Sequence, residues 1–379
     1  MSPTRQLLLI GGGHAHAQVV LDWLRAPLPG VALTLVSPTP LAAYSGMVPG
    51  WLAGDYRYDE ICIDLVALCR AAGVHFIQAE VTALDAGARC VQLADGRSLA
   101  YDLLSLNIGS TLTPPLLAGR QVLSLRPLGA LREGWERSLN ALQDWPIERP
   151  LSVTAVGGGA AGAESLLAVR ARLLRERPGL RVQARLVTRG PQLLAGMAAG
   201  AARRLGGVLA AAGVTVQAGT PYSEALGQAS DLLLWATGAQ AHAWPGVSGL
   251  AVDGSGFVRV DAHLRSVSHP QVWAVGDCAA WAEPLPKAGV YAVRMGPVLT
   301  RNLRAALGDG AARPYRPQRR YLALLATGDG QAIASWGALS AQGRWLWRWK
   351  DRIDRSFIAR FRVDRARLGV AAGAEDASA

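Results

Sequence analysis

At 379 residues, half of them hydrophobic, the chain has room for about two domains with sizeable cores. Its 43 glycines fall in punctuated clusters, which excludes a collagen-like or low-complexity chain. The formal charge of +11 is concentrated late, with 13 basic and four acidic residues from Arg313 to Arg367. That excess points either to an anionic partner or to a solvated Arg-rich face, and no nucleic-acid reader motif accompanies it. No apolar run reaches the roughly 18 residues of a membrane span, and the N-terminus reads as a strand rather than a signal peptide. Cys62, Cys69, Cys90 and Cys278 show neither CxxC nor zinc spacing, so reduced thiols in a cytoplasmic protein are expected.

Leu7 to Ile10 is an apolar run of the kind a buried parallel strand needs. It enters Gly11-Gly12-Gly13, a helical pattern follows from about His14 to Leu24, and Val31 to Val36 reads as the next strand. Val74 to Val81 and Tyr101 to Leu106 read as further strands, the latter ending at Asn107-Ile108-Gly109-Ser110, and Thr113-Pro114-Pro115 marks a linker. A second strand–turn–helix unit runs from Leu151 to Val156 through Gly157-Gly158-Gly159 into a helix from about Ala160 to Glu176. Strands Val182 to Val187, Val214 to Ala218 and Asp231 to Ala236 continue the alternation, with a helix from Ala199 to Ala212. Strand signals return at Val258 to Val260 and Val272 to Val275, and a helix spans about Gly289 to Ala306. Strands alternating with helices predict a doubly wound α/β architecture. The portion after about Pro314 is aromatic and basic, unlike everything before it.

Gly157, Gly159 and Gly162 complete G-x-G-x-x-G between a strand and a helix, the arrangement that cradles a dinucleotide pyrophosphate. Gly11 and Gly13 fill the first two places of a similar turn, where His16 replaces the third glycine. That predicts looser packing of helix on strand, with His14 and His16 as turn residues near a pyrophosphate. No nearby Cys, Asp or Glu completes a metal site, so no metal is expected.

Gly276-Asp277-Cys278-Ala279 after a short strand, Ala236-Thr237-Gly238 after another, and the two glycine turns together resemble the FAD/NAD(P)-dependent pyridine-nucleotide oxidoreductases over about residues 5 to 310. Three segments resemble more closely the type II NADH dehydrogenase-like flavoproteins that occur alone or fused to selenide, water dikinase. These are Tyr44-Ser45-Gly46-Met47-Val48-Pro49-Gly50-Trp51, Pro286 to Arg294, and Arg316 to Asp354. The resemblance implies two Rossmann-like domains: a discontinuous FAD domain over 1–115 and 246–312, and an NAD(P) domain over 116–245. A small C-terminal segment follows over 313–379. It implies FAD at the first turn, NADH or NADPH at the second, Asp277 on the FAD ribitol, and Glu164 near nicotinamide and flavin.

The second strand of the NAD(P) unit ends at Thr188-Arg189 with no acid, so Arg189 can face a 2′-phosphate; Ser37 stands in the corresponding place of the FAD unit. Disulfide reductases carry a cysteine pair where this chain has Tyr44 to Gly50, so electrons are expected to leave the flavin without a thiol relay. Lys287 is one of only two lysines, which marks it as a compact charge beside the flavin or as a chance surface residue. The expected activity is NAD(P)H oxidation with a quinone or other small acceptor. The alternatives are reduction of a selenium or sulfur compound, or a flavin-binding redox partner with negligible turnover. In residues 344–362, Trp345, Trp349, Ile353, Phe357 and Phe361 recur every four residues between arginines. They predict a helix lying on an anionic membrane, peripheral on the inner face of the cell membrane, or alternatively a core or homodimer contact.

Overall fold

Strand Arg5–Ile10 buries both faces from Leu7 onward, as a strand flanked by parallel neighbours and covered by helices must. In the computed structural model, which describes residues 4–318 and 320–363, it is the centre of a five-stranded parallel sheet. The spatial order is Val272–Ala274, Leu103–Leu106, Arg5–Ile10, Val31–Ser37, His75–Gln78. The chain fills one side of the centre first and then crosses to the other, so a topological switch point lies at the C-terminal end of Arg5–Ile10. Ligands bind at such crevices.

A second five-stranded parallel sheet has the order Gln121–Ser124, Leu232–Trp235, Leu151–Val156, Val182–Val187, Thr215–Gln217. Its central strand Leu151–Val156 feeds helix Ala160–Glu176, just as Arg5–Ile10 feeds helix His14–Arg25. The alternating pattern read from the sequence is therefore the observed one, an α/β fold of two Rossmann-like units.

The strand expected over Val74 to Val81 is divided. His75–Gln78 closes the first sheet, and Val81–Asp85 pairs antiparallel with Cys90–Leu93, which pairs in turn with Ser98–Ala100. The Ala79 amide donates to the Ser37 carbonyl, ending the parallel pairing and turning the chain outward. A helix at Leu128–Leu142 also goes beyond the sequence reading.

The C-terminal portion folds as an antiparallel sheet, Ala323–Ala326, Ala332–Trp336 and Leu339–Gly343, followed by helix Arg344–Ala359. The sheet leans on the second unit, where the Ala198 amide donates to Ser335 Oγ at 3.1 Å. The helix returns to the first unit, where Tyr56 donates to Asp351 at 2.7 Å, Arg355 meets Glu60 at 3.4 Å and Arg360 donates to Gln18 at 2.6 Å. The C-terminal portion thus touches both units. Among the described residues no helix is long and apolar enough to cross a membrane.

The expected single stripe on that helix is split. Trp345, Trp349 and Ile353 are 60, 43 and 41% exposed, while Phe357 packs on Tyr44 and Phe361 is buried. A step of four residues over-rotates by about 40° on a helix of 3.6 residues per turn. Four such steps carry the stripe from solvent round to the protein.

Candidate cofactor-binding site

At the first turn, the Gly11 amide donates to the Val36 carbonyl at 2.8 Å, and the residue sits at φ +96°, where any Cβ would be driven into the Asn107 backbone. Gly13 is similarly closed by the Asn107 side chain. Gly13 caps helix His14–Arg25 in extended geometry with no side-chain hydrogen bond, so the first helical amides are left for an incoming acceptor. Among the described residues, Asn107 Oδ1 and His14 Nε2 are buried without hydrogen-bond partners. A glycine turn with free helical amides and two buried polar atoms lacking partners fits the pyrophosphate and sugar of a dinucleotide.

His16 departs from its expected place near a pyrophosphate. Its ring is fully buried, with Nδ1 2.8 Å from the Gly11 carbonyl and Nε2 2.8 Å from Ser105 Oγ. The carbonyl can only accept, so Nδ1 carries the hydrogen and Ser105 donates to Nε2. Histidine here replaces the close packing of a third glycine with two hydrogen bonds joining turn, helix and neighbouring strand. Burial lowers its pKa to about 4, and lowers that of His14 to about 4 against the pull of Asp277.

Asp277 lies in the turn Gly276–Cys278 and receives Arg126 and Ser110, the latter at 3.2 Å. Arg126 also donates to Ser110 and to the Lys287 carbonyl, at 3.3 Å. The Asn107 amide donates to the Val275 carbonyl at 3.0 Å and abuts Gly276. Asn107 and Arg126 are therefore the residues that gather the first site, and the sequence reading passed over both roles. Gly109, at φ +70°, faces open space. Ser37 is buried and donates to the Thr39 carbonyl.

Ser45 and Gly46 lie against the start of helix Gly289–Ala306, where Ser45 Oγ limits the room at Gly289. Lys287 is close in sequence, yet its ammonium donates to the Ala279 carbonyl at 2.7 Å and sits 3.7 Å from the Phe257 ring centroid. Burial lowers its pKa. The cation on Asp277 is Arg126.

The second turn repeats the first. Gly157 has φ +131° with the Ala236 carbonyl where a Cβ would stand, and Gly162 packs on the Gly157 carbonyl. Gly159 caps helix Ala160–Glu176 without a side-chain bond and has open space beside it. Thr188 Oγ1 accepts from the Gly190 amide at 3.3 Å and lies against Gly158; Arg189 is exposed next to it. Gly238, past the end of strand Leu232–Trp235, faces open space.

Glu164, in the first turns of that helix, accepts from the Ala326 amide at 2.7 Å, and burial raises its pKa to about 7 against the attraction of Lys350. Cys62, Cys69 and Cys278 are buried free thiols whose pKa values burial pushes to about 12, 12 and 11. Among the described residues there is no group of three or more His, Cys, Asp or Glu able to hold a metal. A cavity of about 670 Å³ opens among Arg5, Asp102, Asp261, Arg265 and Trp273. It lies at the start of strand Arg5–Ile10, the opposite end of the sheet from the glycine turns.

Two parallel sheets, each with a glycine turn and an uncapped helix N-terminus after its central strand, define a protein with two dinucleotide-binding folds. The chain belongs to the pyridine nucleotide-disulphide oxidoreductase family, which it matches over residues 5–296. Members of this family are flavoproteins that use FAD and NAD(P)H. It is 30% identical over 226 residues to the NADH dehydrogenase-like protein Rv1812c of Mycobacterium tuberculosis, covering 55% of this chain and 56% of that one. It is 29% identical over 241 residues to demethylphylloquinone reductase NdbB of Synechocystis, covering 58% and 57%. The chain thus spans just over half the length of the curated relatives it matches. Among solved structures, the sulfide:quinone oxidoreductase of Aquifex aeolicus aligns over 94% of this chain and 91% of its own with a TM-score of 0.74 at 17% identity. The NDH2 of Plasmodium falciparum in complex with NADH aligns over 94% and 97%, with a TM-score of 0.74 at 13% identity. These two share the fold.

Proposed function

We propose that this chain is an NAD(P)H oxidoreductase of the type II NADH dehydrogenase kind, with a quinone as its acceptor. The observation that carries the reading is the pair of uncapped helix N-termini, at Gly13 and Gly159, each following the central strand of its own parallel sheet. Relatives named as a demethylphylloquinone reductase and a sulfide-quinone reductase support the quinone. The chemistry FAD supplies when bound is two-electron transfer, taking a hydride from NAD(P)H and passing the electrons to the acceptor.

The residues divide the work of binding. Gly11, Gly13 and the first turn at His14 hold the FAD pyrophosphate, and Asp277 with Ser110 and Arg126 holds its ribityl part. Ser37 sits at the ribose end. Gly157, Gly159 and Gly162 hold the pyrophosphate of NAD(P)H, with Thr188 and Arg189 toward its adenosine. On anaerobic addition of NADH or NADPH, protein loaded with FAD is expected to lose its yellow colour and to regain it with a short-chain quinone. No bleaching by either nucleotide rejects the oxidoreductase reading; bleaching without reoxidation rejects the quinone.

Exposed Arg189 and the absence of an acid at Thr188 predict that NADPH is accepted within about tenfold of NADH, about 1.4 kcal/mol. Arg189→Glu is expected to move the preference toward NADH, as measured by the two kcat/KM values. A wild-type preference for NADH of several orders of magnitude contradicts this assignment.

The acceptor reading extends to a membrane. Trp345, Trp349 and Ile353 are exposed, as are Trp336 and Leu339 on the adjoining hairpin, in a region rich in arginine. Aromatic and aliphatic side chains beside cations suit an anionic bilayer surface. In flotation, the protein is expected to rise with anionic vesicles at low salt and to release at high salt. Indifference to anionic vesicles removes the membrane from the proposal.

A further inference from the structure

The cavity of about 670 Å³ at the start of strand Arg5–Ile10 lies outside both nucleotide turns, and its size is that of a small-molecule site. Separate stretches of chain build it. Arg5 opens the central strand, Arg89 ends the turn between strands Val81–Asp85 and Cys90–Leu93, and Asp102 precedes strand Leu103–Leu106. Asp261 and Arg265 stand on the loop leading to strand Val272–Ala274, which carries Trp273. The last turn of helix Gly289–Ala306 lines the remaining side. From Arg5 to Gly11 the strand climbs about 20 Å, at about 3.3 Å per residue, so an occupant of the cavity and a dinucleotide at the glycine turn do not meet.

The hydrogen-bonding groups of these walls are unequally engaged. The acceptors have partners. Asp102 accepts from the Gln6 amide at 2.6 Å, and Asp261 accepts from the amides of His263 and Arg265 at 2.8 and 3.0 Å. Asn302 Oδ1 accepts from the Arg313 amide at 2.7 Å. The Arg304 and Ala305 carbonyls accept from the amides of Leu307, Gly308 and Asp309, which wrap the helix end. The donors are left over. Arg5 and Arg89 are exposed, and among the described residues neither guanidinium pairs with a carboxylate or donates to another group. Arg265 gives one N–H to the Pro270 carbonyl and lies 5.5 Å from the Trp273 ring centroid. Trp273 is 3% exposed, and its indole N–H has no partner among the described residues. Guanidinium and indole N–H groups can only donate, and a buried donor without an acceptor is uncommon.

We propose that this cavity binds a small polyanion carrying two or more phosphate or carboxylate groups, held by Arg5, Arg89 and Arg265. Guanidinium forks match the paired oxygens of such groups and hold them with charge-assisted hydrogen bonds. The two carboxylates of the wall make charge number decisive. A single negative charge gains little there, because Asp102 and Asp261 repel it. Several charges spread over the cavity meet three cations that outnumber the two acids, while each acid is already turned to backbone amides. The occupant competes with neither FAD nor NAD(P)H, because the glycine turns stand at the other end of the sheet.

The test is isothermal titration of the purified, FAD-containing protein with inorganic pyrophosphate and, separately, with citrate, at constant ionic strength and without nicotinamide nucleotide. At least one of the two probes is expected to bind, and the tighter of them fixes the class of anionic group. The double variant Arg5→Gln, Arg89→Gln is expected to keep its FAD and to lose affinity for that probe by about tenfold or more. Two comparisons give the loss its meaning. Arg70→Gln with Arg137→Gln removes the same charge from exposed arginines elsewhere, and is expected to leave the affinity within about twofold. Gly159→Val obstructs the second glycine turn and is expected to leave the arginine-dependent binding in place. An equal fall in both arginine pairs shows attraction to the net charge of the protein only. A fall in Gly159→Val with none in Arg5→Gln, Arg89→Gln puts the anion at the nucleotide turn. Either result overturns the proposal, as does failure of both probes to bind. If the double variant does not fold, Arg89→Gln alone, in an exposed turn, is expected to weaken binding by about threefold or more, and an unchanged affinity there overturns the proposal equally.

Discussion

His16 shows how one substitution in a familiar turn redistributes the forces there. A glycine would let helix and strand touch; the imidazole instead ties the Gly11 carbonyl to Ser105 across the sheet. Because the buried ring is neutral, it resists protonation until about pH 4, while an unfolded histidine protonates near 6.5. Its pKa is depressed by folding, so its contribution is full above pH 6.5 and is lost as the pH falls toward 4; the unfolded chain binds more protons throughout that window. His14 behaves in the same way. Stability is expected to drop by about 2–3 kcal/mol per ring across the window, read as a falling urea midpoint. His16→Ala is expected to cost about 2–4 kcal/mol at pH 7 through the cavity and two unpaired groups, and to flatten the pH dependence. An unchanged pH dependence in that variant means the ring is not protected in the fold. Asp277→Ala is expected to weaken FAD retention, seen as flavin lost on gel filtration; full retention separates Asp277 from the cofactor.

At the scale of elements, helix Arg344–Ala359 does two jobs on two faces. Its outer residues Trp345, Trp349 and Ile353 touch little, whereas Leu346, Lys350, Asp354 and Ile358 are buried. Phe357 stacks near Tyr44 and His14, with ring centroids at 4.5 and 5.8 Å. Changing the three outer residues to Ser is therefore expected to leave thermal stability within about 0.5 kcal/mol while abolishing vesicle binding. Truncation before Gly343 uncovers Tyr44 and the first glycine turn and is expected to lower both stability and FAD retention. A truncated protein with wild-type flavin retention shows that the inner face is dispensable. The helices Ala160–Glu176 and Gly289–Ala306 were readable from sequence because cap, period and punctuation all lie within the segment. The hairpin from Cys90 to Ala100 and the sheet from Ala323 to Gly343 were not, because their strands are short and their burial is decided by partners far along the chain. The site divides the same way. The glycines obey a local backbone rule, but Arg126 meets Asp277 across 151 residues and Lys350 meets Gly46 across 304, and no local pattern announces such pairs.

Over the whole molecule, the placement of the thiols decides which electron path the two nucleotide folds can serve. A thiol relay needs a thiolate beside the flavin, and a thiolate fraction at pH 7 requires a pKa not far above it. Burial holds Cys62 and Cys69 near 12 and Cys278 near 11. At those values only about one thiol in ten thousand or fewer is ionised at pH 7. Cys62 and Cys69 belong to the core cluster beneath helix His14–Arg25, and Cys278 points its sulfur at the Leu106 and Val275 carbonyls. Cys90 is on the crossover hairpin, away from either glycine turn in the sheet order. Each behaves as a small apolar side chain. Replacing all four by Ala is therefore expected to cost stability, about 1 kcal/mol at each buried position, without touching the path of electrons. Stopped-flow reoxidation of the reduced flavin by a short-chain quinone should keep its rate within about twofold, since even one lost catalytic interaction of 1.4 kcal/mol changes a rate tenfold. The decisive result is a variant that stays folded, keeps its FAD, is reduced normally and yet is reoxidised a hundredfold more slowly. That outcome would return a thiol to the mechanism and leave the direct transfer proposed here without support.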